Sequence, residues 1–203
     1  MRRLLQMVWF PATLVALMIG LSLASPVVAR TLVSTVMQLD QLPPPPRADL
    51  TVPSYPRMLF YLQRSTNANT VVYSANMTGL GQVDPKNPLD IFWRRYQDGQ
   101  RSPLTFVERT LAYGASPRAV AGRPNEFDAN IVSLPEIKFR IGVDVTGAPE
   151  AVVQIGERRA HLVSVYVKID ESGFIPELIS LDLYGVDKAD GKVLHQHLEP
   201  GRS

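Results

Sequence analysis

Cysteine is absent from all 203 residues. That excludes a disulfide framework, a thiolate metal site, a cysteine nucleophile and lipid attachment at a processed N-terminal cysteine. A Gly-x-Ser-x-Gly elbow is also missing, so the usual serine nucleophile has no strand-to-helix turn to stand on. No glycine loop suited to cradling phosphate precedes a helix, and Gly79-Leu80-Gly81 is an isolated fragment. Histidine occurs only at 161, 195 and 197. The last two are spaced so that a strand would set them on one face, but two imidazoles do not make a metal site, and no metal or cofactor is implied. Acidic pairs such as Asp182 with Glu171 cannot be brought together from spacing alone, so a carboxylate dyad has no support.

Charge of one sign is lacking too. The 21 Lys and Arg exceed the 19 Asp and Glu by two, and residues 1–29 hold two arginines and no acid. The rest of the chain is balanced. A nucleic-acid surface needs clustered basic charge to displace counterions, and the overall composition gives no reason to expect one.

What is present begins at the N-terminus. Arg2 and Arg3 precede an apolar stretch from Leu4 to Ala24, broken only by Gln6, Pro11, Thr13 and Ser22, and then Ser25-Pro26-Val27-Val28-Ala29. This three-part layout predicts an export signal over 1–29, cleaved after Ala29, with an earlier site after Ala24 as the alternative. The apolar run is also long enough to cross a bilayer, so an uncleaved anchor is the rival reading. Leu4-Leu5-Gln6 after the paired arginines fits twin-arginine export poorly. Either way the remainder is expected outside the cytoplasm, in a periplasm or secreted. It amounts to roughly 170 residues, enough for one domain held by packing alone.

Residues 30–56 read as a proline-rich tether. Pro43 to Pro46, Pro53 and Pro56 remove donors and fix φ, which favours an extended spacer over a sheet strand. From Arg57 the signal is alternation. Ile137, Phe139, Ile141, Val143 and Val145 share one face, with Lys138, Arg140 and Asp144 on the other. Val163, Val165, Val167 and Ile169 repeat the pattern, as do Ile179, Leu181 and Leu183. Further strands are expected at 57–64, 69–76, 89–96, 130–134, 151–155 and 192–197, about nine in all. Thr105 with Glu108 has the spacing of a capping box, Phe106, Val107, Thr110 and Leu111 give an apolar stripe, and Gly114 closes a short helix. The expected fold is mainly β, an antiparallel sandwich or barrel with that helix plugging an end or packing on one face, over residues 57–198, followed by a tail at 199–203.

Specific residues also carry a resemblance. Leu59-Phe60-Tyr61-Leu62-Gln63-Arg64, then Asn67-Ala68-Asn69-Thr70-Val71-Val72-Tyr73 with Asn76, Pro88-Leu89-Asp90-Ile91-Phe92-Trp93-Arg94-Arg95-Tyr96, Leu104, Leu111-Ala112-Tyr113-Gly114 and the stretch 165–185 are similar to a bacterial family, domain of unknown function 4833. The resemblance implies an exported or membrane-associated protein. It assigns no reaction, cofactor or catalytic residue.

The richest polar and aromatic constellation is Arg64, Asn67, Asn69, Tyr73, Trp93, Arg94, Tyr96, Glu108 and Tyr113. Arg64 follows Met58, Phe60 and Leu62 at even spacing, so it points toward an apolar face where a guanidinium must find a partner. One reading is contact with an anion or headgroup, walled by Trp93 and Tyr96. The other is an internal Arg64 to Glu108 pair, with Asn67 and Asn69 shaping a turn. The function expected is a non-enzymatic binding or scaffold module for a small amphiphile or an envelope partner, with a hydrolase of lipid, glycan or wall material as the alternative. A deep apolar cavity at Arg64 would favour binding, and an exposed acid with a raised pKa would favour catalysis. Determining the N-terminal residue of the exported protein tests the signal: a start at Arg30 is expected, and a start at Met1 would establish the anchor instead.

Overall fold

The computed structural model describes residues 52–173 and 176–199. The expected signal at 1–29, the Pro43 to Pro46 run and the tail from residue 200 lie outside the described residues. The domain is mainly β, and eleven strands form one sheet curled into a half-barrel. Curling lets a single sheet enclose its own apolar face, which bears out the expected mainly β fold on the barrel side of the choice between sandwich and barrel.

One antiparallel meander comprises β1 (Met58–Arg64), β2 (Asn67–Ala75), β3 (Leu89–Arg94) and β4 (Arg101–Pro103). A second runs through β5 (Arg118–Ala119), β6 (Phe127–Ile131), β7 (Leu134–Val143), β8 (Pro149–Ile155) and β9 (Arg158–Asp170). β10 (Glu177–Asp187) and β11 (Val193–Leu198) extend from β9 as a hairpin. β9 therefore has three partners. Along one edge it pairs with β10 from Ala160 to Asp170; along the other, Arg158 to His161 pair with β8 and Ser164 to Val167 pair with β1. The β1–β9 pairing is parallel, the exception to the antiparallel neighbours expected from short turns. Tyr61 and Ser164 meet across the whole second meander, so no tight turn dictates their direction.

Most of the predicted alternation is realised, but Val163 parts from Val165 and Val167: it packs with Tyr61 and Val186 while they join the main core. In β7 the side chains of Ile137, Phe139 and Ile141 are buried while Lys138 is exposed. The pattern ends earlier than expected, because Val145 lies in the Asp144–Gly147 turn and is fully exposed. In β10 a register shift between Leu178 and Ser180 turns Ile179 outward, and Leu178 packs on the core in its place. β1 is buried on both faces: Phe60 and Leu62 join the main core, and Tyr61 clusters with Val163 and Val186 on the reverse side.

The helix is reduced to one π-helical turn, Glu108–Ala112. Its capping box forms as expected: the Glu108 N–H donates to Thr105 Oγ1 at 3.2 Å, and the Thr105 N–H donates to Glu108 Oε2 at 2.8 Å. The expected packing of its stripe does not form. Phe106, Val107 and Leu111 are 80%, 61% and 68% exposed, because a single turn is anchored by its cap and by the chain leaving it rather than by an apolar face. Gly114 is required there for space. A Cβ at that position would lie 1.8 Å from the Arg109 carbonyl oxygen.

Phe60, with no exposed surface, stacks on Tyr73 at 4.3 Å and meets Phe139 edge-on at 5.0 Å, joining β1 to β2 and to β7 across the core. Phe60→Ala is expected to cost about 3–5 kcal/mol, read as a lower midpoint in urea unfolding. A loss below about 1 kcal/mol would show that the two meanders do not depend on this contact.

Candidate functional site

Arg64 ends β1 and faces the side chains that β3 and the π-turn supply. Its guanidinium carbon lies 5.8 Å from the centre of the Trp93 ring and 5.5 Å from that of Tyr113, and the two rings meet edge-on at 5.0 Å. The negative faces of aromatic rings attract a cation, so the two rings hold the guanidinium without neutralising it. Its Nε is buried and has no hydrogen-bond partner among the described residues. The internal pair anticipated with Glu108 is not a contact: among the described residues Arg64 takes part in no ion pair within 4.0 Å.

Glu108 is occupied elsewhere. The Trp93 indole N–H donates to its Oε1 at 3.1 Å, and the Thr105 backbone and hydroxyl donate to its Oε2 at 2.8 and 2.9 Å. Partial burial pushes the Glu108 pKa up, but these donors and the nearby Arg64 charge together outweigh it and leave the carboxyl below its usual range. It is a fixed carboxylate that positions the indole. Burial raises the Tyr113 phenol, opposed in part by Arg64.

The structure thus gathers Arg64, Trp93, Glu108 and Tyr113 and disperses the other candidates. Tyr73 is fully buried in the core and donates its hydroxyl to the Tyr113 carbonyl at 2.8 Å, which fixes the end of the π-turn. Asn67 Oδ1 accepts the Asn69 N–H at 2.8 Å within the β1–β2 turn, and Asn69 Oδ1 accepts the Tyr96 N–H at 2.8 Å. These asparagines shape backbone, the second of the two readings offered by the sequence. Arg94 alternates away from Trp93 and lies against Gly99. Tyr96 is 44% exposed and forms no wall to Arg64, whose second ring is Tyr113.

A further polar constellation joins residues that spacing left apart. The β10–β11 register sets Asp182 opposite His197, and Asp182 Oδ1 accepts from His197 Nδ1 at 2.8 Å and from His195 Nε2 at 2.7 Å. His195 also stacks on Tyr184 at 4.6 Å. The even spacing of the two histidines predicted a shared face; their common carboxylate required the hairpin register. Nearby, Glu150 on β8 binds His161 of β9 at 2.8 Å and Lys188 at 2.6 Å. Among the described residues no three or more His, Asp or Glu side chains are arranged to hold a metal ion.

A family model described as Domain of unknown function (DUF4833) matches residues 60–197. No curated protein and no solved structure matches the chain.

Partial burial pushes the Asp182 pKa up, but the hydrogen bonds and charge of His197 and His195 prevail and hold it below its ordinary 3.8. A carboxyl depressed on folding stabilises the native state above its unfolded pKa, and that contribution is lost as pH falls through the folded value. The stability difference between the native chain and Asp182→Asn is therefore expected to be open at about pH 5 and to close toward about pH 2 in urea unfolding. A pH-independent difference would contradict the assignment.

Proposed function

The chain belongs to the DUF4833 family, and from this premise we propose that its β domain is an exported, non-enzymatic binding module for a small amphiphile with an anionic head. The observation that carries this reading is Arg64. A guanidinium held over the Trp93 and Tyr113 rings, with no ion pair among the described residues, keeps its charge available to a carboxylate or phosphate. The rings supply apolar area beside it. Phe106, Val107 and Leu111, exposed on the chain around Glu108, supply more of the kind an acyl or alkyl tail covers. The export part of the proposal rests on the N-terminal pattern of charge, apolar run and small residues.

The hydrolase alternative draws no comparable support. Glu108 has both carboxylate oxygens engaged and a lowered pKa, the reverse of what a general acid requires.

Trp93 also provides the assay. The sequence contains one other tryptophan, Trp9, so in a Trp9→Phe chain the indole emission reports this site alone. Titration with oleate is expected to shift Trp93 emission, oleyl alcohol to act more weakly, and Arg64→Met to lower oleate affinity about tenfold to a hundredfold while the far-ultraviolet dichroism stays unchanged. Equal binding of acid and alcohol, or an Arg64→Met chain that binds as before, would overturn the proposal.

A further inference from the structure

A groove elsewhere on the sheet shares no residue with the Arg64 cluster. β5 to β9 carry this groove, of about 510 Å3, on the sheet face that presents Lys138 and Arg140. Four cations line it, Arg118, Lys138, Arg140 and Arg159, against a single acid, Asp128. Arg140 is already matched, with its Nε on Asp128 at 2.7 Å and an Nη 3.6 Å from Glu126. The other three form no ion pair among the described residues, and each is exposed. The chain outside residues 1–29 is balanced in charge, so this is a local concentration that composition conceals.

Strand register spaces these cations. Lys138 on β7 and Arg159 on β9 stand two strands, about 10 Å, apart in one cross-strand row, while Arg118 on β5 pairs with Asp128 in the adjacent row that holds Arg140. Polar amides lie between them. Asn130 pairs with Lys138 across β6–β7, and Gln154 pairs with Arg159 across β8–β9. A single inorganic anion meets one of these cations at a time, whereas an extended chain with repeated charges meets all three. The groove's one aromatic ring, Phe139, is only 2% exposed, so no stacking platform for nucleobases is offered. Guanidinium and ammonium groups for acids, with amides for hydroxyls, suit a hydroxyl-rich polyanion.

We propose that this groove binds an acidic oligosaccharide laid across β5 to β9, its carboxylate groups meeting Arg118, Lys138 and Arg159 and its hydroxyls meeting Asn130 and Gln154. Discrimination against neutral sugars follows from charge, and discrimination against single-stranded nucleic acid from the missing rings.

Calorimetric titration of the full chain at low salt tests this, with hexagalacturonate as the acidic probe, maltohexaose as the neutral one, and inorganic phosphate and a short oligothymidylate as rival anions. The expected result is binding of hexagalacturonate that weakens with added salt, no heat from maltohexaose, and weaker binding of both rival anions. Lys138→Gln with Arg159→Gln should weaken hexagalacturonate binding about tenfold without lowering the urea midpoint, since neither residue supports the fold through an ion pair. Absence of hexagalacturonate binding overturns the proposal. So does oligothymidylate or phosphate binding as tight as hexagalacturonate, or a double variant with unchanged affinity. Oleate titration of the same double variant keeps the two sites distinguishable, because its Trp93 response should persist.

Discussion

The arrangement turns on β9. A strand has two edges, and in most sheets each edge serves one neighbour; β9 is long enough that one edge serves two. Its first residues complete the antiparallel ladder of β8, and its later residues receive β1 in parallel, so two meanders that are separate in sequence become one sheet. Along its other edge β10 runs for almost its full length and ties both segments to a common line. Without that shared strand each meander would expose an unpaired edge and half an apolar face. The core contains side chains from both, with Phe60 and Tyr73 from one and Phe139 and Val153 from the other.

The Arg64 site follows from this junction. Arg64 pairs with Val167 of β9 and with Asn67 across the β1–β2 turn, so its backbone is fixed on both sides where β1 ends. β3 brings Trp93 alongside, and the π-turn, held by the Thr105–Glu108 box and by Tyr73 beneath it, delivers Tyr113. Each hydrogen bond in the cluster serves position: Glu108 orients the indole, Tyr73 fixes the Tyr113 carbonyl, and the guanidinium is left between rings. Burying a cation beside aromatic faces costs less than burying it among alkyl groups, which is how the fold tolerates an arginine on an apolar row of β1.

Much of this was legible residue by residue. Alternation located the strands and their inward residues, the Thr105–Glu108 spacing located a helical start, and Gly114 its end. The Arg64, Trp93, Glu108 and Tyr113 grouping was also present, though mixed with Asn67, Asn69, Tyr73, Arg94 and Tyr96, which structure or shape the surroundings. Errors arose where a short-range rule met a long-range condition. Ile179 turned outward because a bulge offset its strand, and Phe106, Val107 and Leu111 kept the spacing of a buried stripe although one turn of helix had nothing to pack against.

What the sequence alone determined was local: a chain without cysteine must be held by packing, a period of two yields half-buried strands, and the charge outside the first 29 residues is balanced. These depend on residue type and on neighbours a few positions away. Only the tertiary structure decided that β1 lies parallel to β9, that Asp182 serves two histidines, that Arg64 rests on two rings with no ion pair among the described residues, and that Arg118, Lys138 and Arg159 line one groove. Each of these depends on which strand edges meet and in what register. A repeat of two residues is the same for every possible partner and cannot specify that choice.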